Sequence, residues 1–152
     1  MGVKEGMETT PQKTGKRAEF LVFVELIKRN ADVYIPIIDI GIDAIVRRED
    51  GTHLDIQVKS TEKGWSLAAW VPDNPQLRQK RFIVWVDMSK SEENPEIWVF
   101  PGEIFNDYSI KIGAGQNGTY RRLDLSATRK GDDQPRCALL KKYCNAWHLL
   151  TG

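Results

Sequence analysis

Ile42-Asp-Ala-Ile-Val-Arg-Arg-Glu-Asp-Gly-Thr-His-Leu-Asp-Ile-Gln-Val-Lys-Ser60 is the stretch from which the rest of the chain is read. Asp50-Gly51 between two runs of alternating apolar and polar residues is a strong local signal for a β-hairpin. Before the turn Ile42, Ala44 and Val46 alternate with Asp43, Ile45 and Arg47. After it Leu54, Ile56 and Val58 alternate with Asp55, Gln57 and Lys59. A three-residue loop, Glu49-Asp50-Gly51 with Gly51 left-handed, sets Arg48 opposite Thr52 and Asp43 opposite Gln57. A two-residue loop would set Asp43 against Val58 and mispair the apolar stripes. Because a one-residue slip turns every side chain to the other face, burial selects the longer loop.

One face of the hairpin then carries a carboxylate, an amide and an amine, Asp43, Gln57 and Lys59, within about 5 to 8 Å of one another. Asp43 and the Gln57 carbonyl are hard oxygen donors of the kind a divalent cation takes. Such a cation acidifies water and offsets charge on a scissile phosphate, while Lys59 offers a point charge to the transition state. The same three residues would also be ordinary on a strand face open to water, so the surroundings decide.

Gly41-Ile42-Asp43, then Asp55-Ile56-Gln57-Val58-Lys59-Ser60, preceded by Gly15-Lys16-Arg17-Ala18-Glu19 on a helix, resembles the PD-(D/E)XK nuclease superfamily. The similarity is to its small restriction-endonuclease-like and archaeal Holliday-junction-resolvase-like members, and it spans residues 14 to 61. It implies an α/β (α+β) fold, a mixed β-sheet flanked by helices. It also implies a magnesium site, with manganese as a substitute, built from Glu19, Asp43 and Gln57 near the Val58 carbonyl, and a catalytic Lys59. The implied activity is metal-dependent hydrolysis of DNA, duplex or branched, by a homodimer or larger symmetric assembly. Gln57 stands where the pattern has an acid, which removes a negative charge. No proline immediately precedes Asp43; Pro36 and Asp39 lie earlier. The rival reading is a nuclease fold that binds nucleic acid or a protein partner without cutting.

Outward from this core, residues 16 to 29 read as a helix that is apolar nearly all round, from Ala18 through Phe20–Val24 to Leu26 and Ile27, and such a helix is buried on more than one side. Glu19 within it is either a ligand or a first-turn acid favoured by the helix dipole. Glu25 lies about 120° away around the axis, so only one of the two faces the hairpin. Thr14 is the candidate cap, and residues 1 to 12 read as a polar arm before a single domain over 13 to 152. A short strand is expected over 33 to 38, interrupted by Pro36, with Asp39 in the following turn as a capping residue, outer-shell group or substitute ligand.

Beyond the hairpin, strands are expected at 65–71, 82–86 and 96–100, with a helix starting at Pro101. Residues 109 to 134 read as a polar loop; Gly113-x-Gly115-x-x-Gly118 matches a dinucleotide fingerprint in letters only, without the strand and helix that give it meaning. Seven Lys or Arg against three Asp between Arg121 and Lys142 suggest either a solvated face or a phosphate-contacting surface. Lys63, Arg121 and Arg122 are the candidate nucleic-acid contacts, and Trp65 borders the same region. Residues 134 to 150 read as an amphipathic helix with Leu139, Leu140, Tyr143, Trp147 and Leu150 on its apolar stripe.

A chain of 152 residues with a net charge of +1 fits one globular domain whose basic surface is local. Cys137 and Cys144 lack metal-ligand spacing and read as packing residues in a reducing compartment. His53 and His148 are isolated: neither has a partner spacing that argues zinc, and no Ser-His-Asp or Cys-His arrangement can be read out. No apolar run approaches a membrane span and no signal peptide is legible, which points to the cytoplasm.

Overall fold

A computed structural model of the chain describes residues 10–38 and 40–152. In chain order the elements are α1 (Pro11–Lys28), β1 (Asp32–Tyr34), β2 (Ala44–Arg47), β3 (His53–Thr61), β4 (Ser66–Pro72), α2 (Pro75–Lys80) and β5 (Arg81–Asp87). There follow β6 (Glu96–Pro101), α3 (Gly102–Tyr108), β7 (Ile110–Gly115), β8 (Gly118–Asp124), α4 (Arg136–Leu139), a 3₁₀ turn (Lys141–Tyr143) and α5 (His148–Thr151). Five strands form a sheet in the order β1-β2-β3-β5-β6, antiparallel except where β3 and β5 run parallel; β4, β8 and β7 form a second, antiparallel sheet. The fold is thus a mixed α+β architecture with a mixed sheet flanked by helices.

Alternation along the strands fills both sides of the larger sheet. Phe82, Val84, Val86, Ile97 and Val99 join Ala44, Val46, Leu54, Ile56 and Val58 under α1 and α5, where Ala18, Val22, Phe23, Leu26 and Leu150 complete the core. Ile83, Trp85, Trp98 and Phe100 point the other way, onto Leu67, Ala69, Val71 and Leu123 of the smaller sheet and Phe105 of α3. Strands buried on both faces explain why 82–86 reads as an unbroken apolar run.

Several boundaries differ from the expectations. Helix α1 begins at Pro11, so Pro11 and Gln12 belong to it and only residues 1–9 of the expected arm lie outside the described residues, as does Asp39. Thr10 caps the helix, its side chain accepting from the Lys13 N–H at 3.2 Å, while Thr14 is buried and donates to Glu62 at 3.0 Å. The strand expected over 33–38 stops at Tyr34. A proline at the first helical position and an Asn74 cap make the short α2 where a loop was expected. Residues 109–134 are not one loop: most of the Gly-rich stretch is the β7–β8 hairpin, closed by Asn117 at φ 64°.

The C-terminal helix is broken into three pieces. Cys144 pairs with Trp98 across from β6, and the Asn145 N–H donates to the Ile97 carbonyl at 2.8 Å with Asn145 itself left-handed. Sheet hydrogen bonds here override the helical periodicity. No helix among the described residues is long and apolar enough to cross a membrane.

Candidate active site

The register is the one the apolar stripes demand. Ala44 faces Ile56 and Val46 faces Leu54, the Arg48 N–H donates to Thr52 at 2.8 Å, and Gly51 adopts φ 86° in a loop of Glu49-Asp50-Gly51. The ladder begins at that Ala44–Ile56 pair, one residue after Asp43, and Asp43 and Gln57 line the same cleft. Asp43 sits where β2 begins, its N–H donating to the Ile56 carbonyl at 2.8 Å and its Oδ2 accepting from the Val58 N–H at 2.7 Å. The carboxylate is thereby clamped to the backbone of β3.

Glu19 reaches the same point from α1. It lies beyond the first turn, which holds no acid, so the dipole explanation for it falls away. Its carboxyl contacts that of Asp43 and takes an ion pair from Lys16 at 3.0 Å. Burial is the largest reason the Asp43 carboxyl holds its proton up to about pH 6; the negative Glu19 pushes the same way, against the Val58 N–H and Lys59. Glu25 faces elsewhere, paired with Lys28 and Arg29.

Gln57 is only 7% exposed, and its Oε1 is buried with no hydrogen-bond partner among the described residues. An orphaned buried carbonyl oxygen costs about 1 to 3 kcal/mol, a cost that ligation would offset. With two abutting carboxylates beside it, the donor set is all oxygen and fits a hard divalent cation. Because the third position is an amide, no cluster of three or more His, Cys, Asp or Glu side chains able to hold a metal occurs among the described residues. Lys59 makes no ion pair with another described residue.

These groups open onto a cleft of about 490 Å³ lined by Gly15, Glu19, Asp43, Gln57, Lys59 and, across from them, Trp70 and Tyr120. Sequence reading missed the last two. Trp70 and Tyr120 are cross-strand partners on the outer face of the smaller sheet, their rings edge-to-face at 5.2 Å. Gly115 and Gly118 serve this pair and not a phosphate: a Cβ on either would come within 2.8 or 2.5 Å of the Trp70 ring.

The basic residues separate. Lys63 lies exposed between β3 and β4, and Arg122 is exposed on the outer face of β8. Arg121 instead points back, its guanidinium donating twice to Ser109 at 2.8 Å. Arg129 is tied to Asp107 and Asp132, and Arg136 is buried against the Asp124 carbonyl. Lys90 rests over the half-exposed Trp65. His53 and His148 are exposed and apart from the cleft.

No family model matches the chain, and no curated relative does. Among solved structures, a bacterial homing endonuclease, I-Ssp6803I, superposes with a TM-score of 0.61 over 93% of each chain at 21% identity. The fold is restriction-endonuclease-like. This is the architecture of the PD-(D/E)XK nucleases. The Archaeoglobus fulgidus Holliday junction resolvase Hjc also matches, with a TM-score of 0.47 over 84% of this chain and 95% of that one at 14% identity.

Proposed function

We propose that the chain is a metal-dependent endonuclease that hydrolyses DNA phosphodiester bonds in the cytoplasm, as a symmetric assembly. The observation that carries this is the buried, unpartnered Gln57 oxygen beside the Asp43–Glu19 carboxyl pair, with Lys59 on the same strand. Glu19, Asp43 and Gln57 would hold magnesium, with manganese as a substitute. Magnesium there supplies a more acidic water and offsets charge on the phosphate. Asp43 is held rigid by the Val58 N–H. Lys59 places its ammonium against the scissile phosphate, where it steadies the incoming water and the added negative charge of the transition state. Trp70 and Tyr120 form the opposite wall, offering ring faces to sugar or base. Lys63 and Arg122 supply phosphate contacts outside the cleft.

A second reading, a nuclease fold that binds DNA without cutting it, is favoured by one feature: Gln57 lowers the charge of the site. Incubation with supercoiled, linear and branched DNA in magnesium, in manganese and in a chelator separates the two. Cleavage in either metal that the chelator abolishes supports the enzyme. Salt-dependent binding with no cleavage in either metal supports the second reading.

A further inference from the structure

The apolar periodicity of α1 calls for burial on two sides, yet the chain covers only one. Ala18, Val22, Phe23 and Leu26 enter the core, whereas Phe20, Val24 and Ile27, spaced i, i+4, i+7, stand more than half exposed on the opposite side. The segment after β1 continues the bare surface: Ile35, Ile38 and Ile40 are largely exposed and Ile37 fully so. Phe20, Ile35 and Ile37 share one hollow with Glu19 and Asp43, so the patch runs up to the site itself.

Together the seven side chains leave on the order of 800 Å² bare, at roughly 150–200 Å² for a whole side chain of this size. A typical monomer's largest apolar patch is about 300–600 Å², and a stable pairwise interface takes about 800 Å² from each partner. DNA is a poor occupant for most of this surface, because its interfaces are polar and strongly cationic, whereas Val24, Ile27 and the isoleucines are apolar and the cations Lys13, Lys16 and Arg17 gather only beside Phe20, at the N-terminal end of the stripe. We infer that the α1 stripe and the isoleucine segment form the face through which two copies of this chain associate about a two-fold axis. Such an isologous contact satisfies the same patch on both copies at once. It also brings two clefts together, since each patch abuts its own acid pair. Two-fold symmetry matches the opposed polarity of duplex strands. The association stands independently of the nuclease reading; only its consequence for cutting rests on that reading.

Sedimentation velocity at micromolar concentration, with Val24→Glu on the helix, Ile37→Glu on the loop and Leu77→Glu on the exposed face of α2 as a control, tests the inference. All three positions are exposed, so circular dichroism and melting should match the native protein. The expected result is a native species of twice 17.4 kDa or an even multiple, shifted toward smaller species by Val24→Glu and by Ile37→Glu but not by Leu77→Glu. In magnesium, the two interface variants should accumulate nicked plasmid where the native protein makes linear product. A native monomer, or a dimer that both interface variants leave intact, overturns the inference. If no form cuts DNA but the sedimentation pattern holds, the association stands and the nuclease reading fails.

Discussion

Replacing Gln57 by Glu restores a third acid to the cleft, and the structure sets the size of the effect. Gln57 is buried and lines the same cleft as Asp43 on the neighbouring strand end, and side chains of adjacent strands lie about 5 Å apart. At an effective dielectric near 20, two like charges at that distance repel by about 3 kcal/mol. For a chain of this length that corresponds to a fall of roughly 6–12 °C in melting temperature. Metal-free Gln57→Glu in a chelator should therefore melt well below the native protein at pH 7.5. The gap should narrow toward pH 5, where Asp43, with its proton held to about pH 6, becomes neutral. Calcium should reverse it, because a ligand at a hundred times its Kd stabilises by about 2.7 kcal/mol and the added carboxylate tightens that Kd. Differential scanning calorimetry with and without calcium reads all three effects. A Glu variant as stable as the native protein in chelator, or one that calcium leaves unmoved, would refute the account of the cleft.

Other outcomes follow from single residues. Lys59→Ala should cut at least about 100-fold more slowly, the scale of a lost transition-state donor, with melting changed little because Lys59 anchors no ion pair with a described residue; plasmid cleavage rates and calorimetry check both halves. Gly15→Ala should raise the urea midpoint by the equivalent of about 0.5–1 kcal/mol, since a Cβ there meets nothing within 4 Å. Gly118→Ala should cost about 1–3 kcal/mol through overpacking, as its Cβ would press on the Trp70 ring and on the Val71 carbonyl, both at less than 3 Å; chemical denaturation measures both glycine variants. The Asp43 carboxyl binds its proton more tightly folded than unfolded, so its contribution favours folding below about pH 4 and is lost as pH rises through about 6. Metal-free stability should fall across that window in the native protein and stay flatter in Asp43→Asn.

The hairpin was legible because turn chemistry, alternation and burial all name the same register, and that register brings Asp43 and Gln57 to one cleft. Glu19 was legible as an acid out of place in an apolar helix. What escaped depends on distant partners. Gly113, Gly115 and Gly118 read as loop residues, but the last two are required by the Trp70 ring more than forty positions away, and without β8 the partner of Trp70, Tyr120, had no register. Cys144 and Asn145 carry no local signal for pairing with β6, so the apolar stripe of 134–150 suggested one helix. Arg121 and Arg122 are equivalent in sequence; only strand alternation sends one to Ser109 and leaves the other in solvent.

The most direct measurement is the rate of DNA cleavage in magnesium and manganese by the native protein beside Asp43→Ala and Lys59→Ala, each shown by its melt to be folded. The account predicts metal-dependent cutting by the native protein and a loss of at least about 100-fold in both variants. Cleavage that survives both substitutions, or none by the native protein on any substrate in either metal, would contradict it.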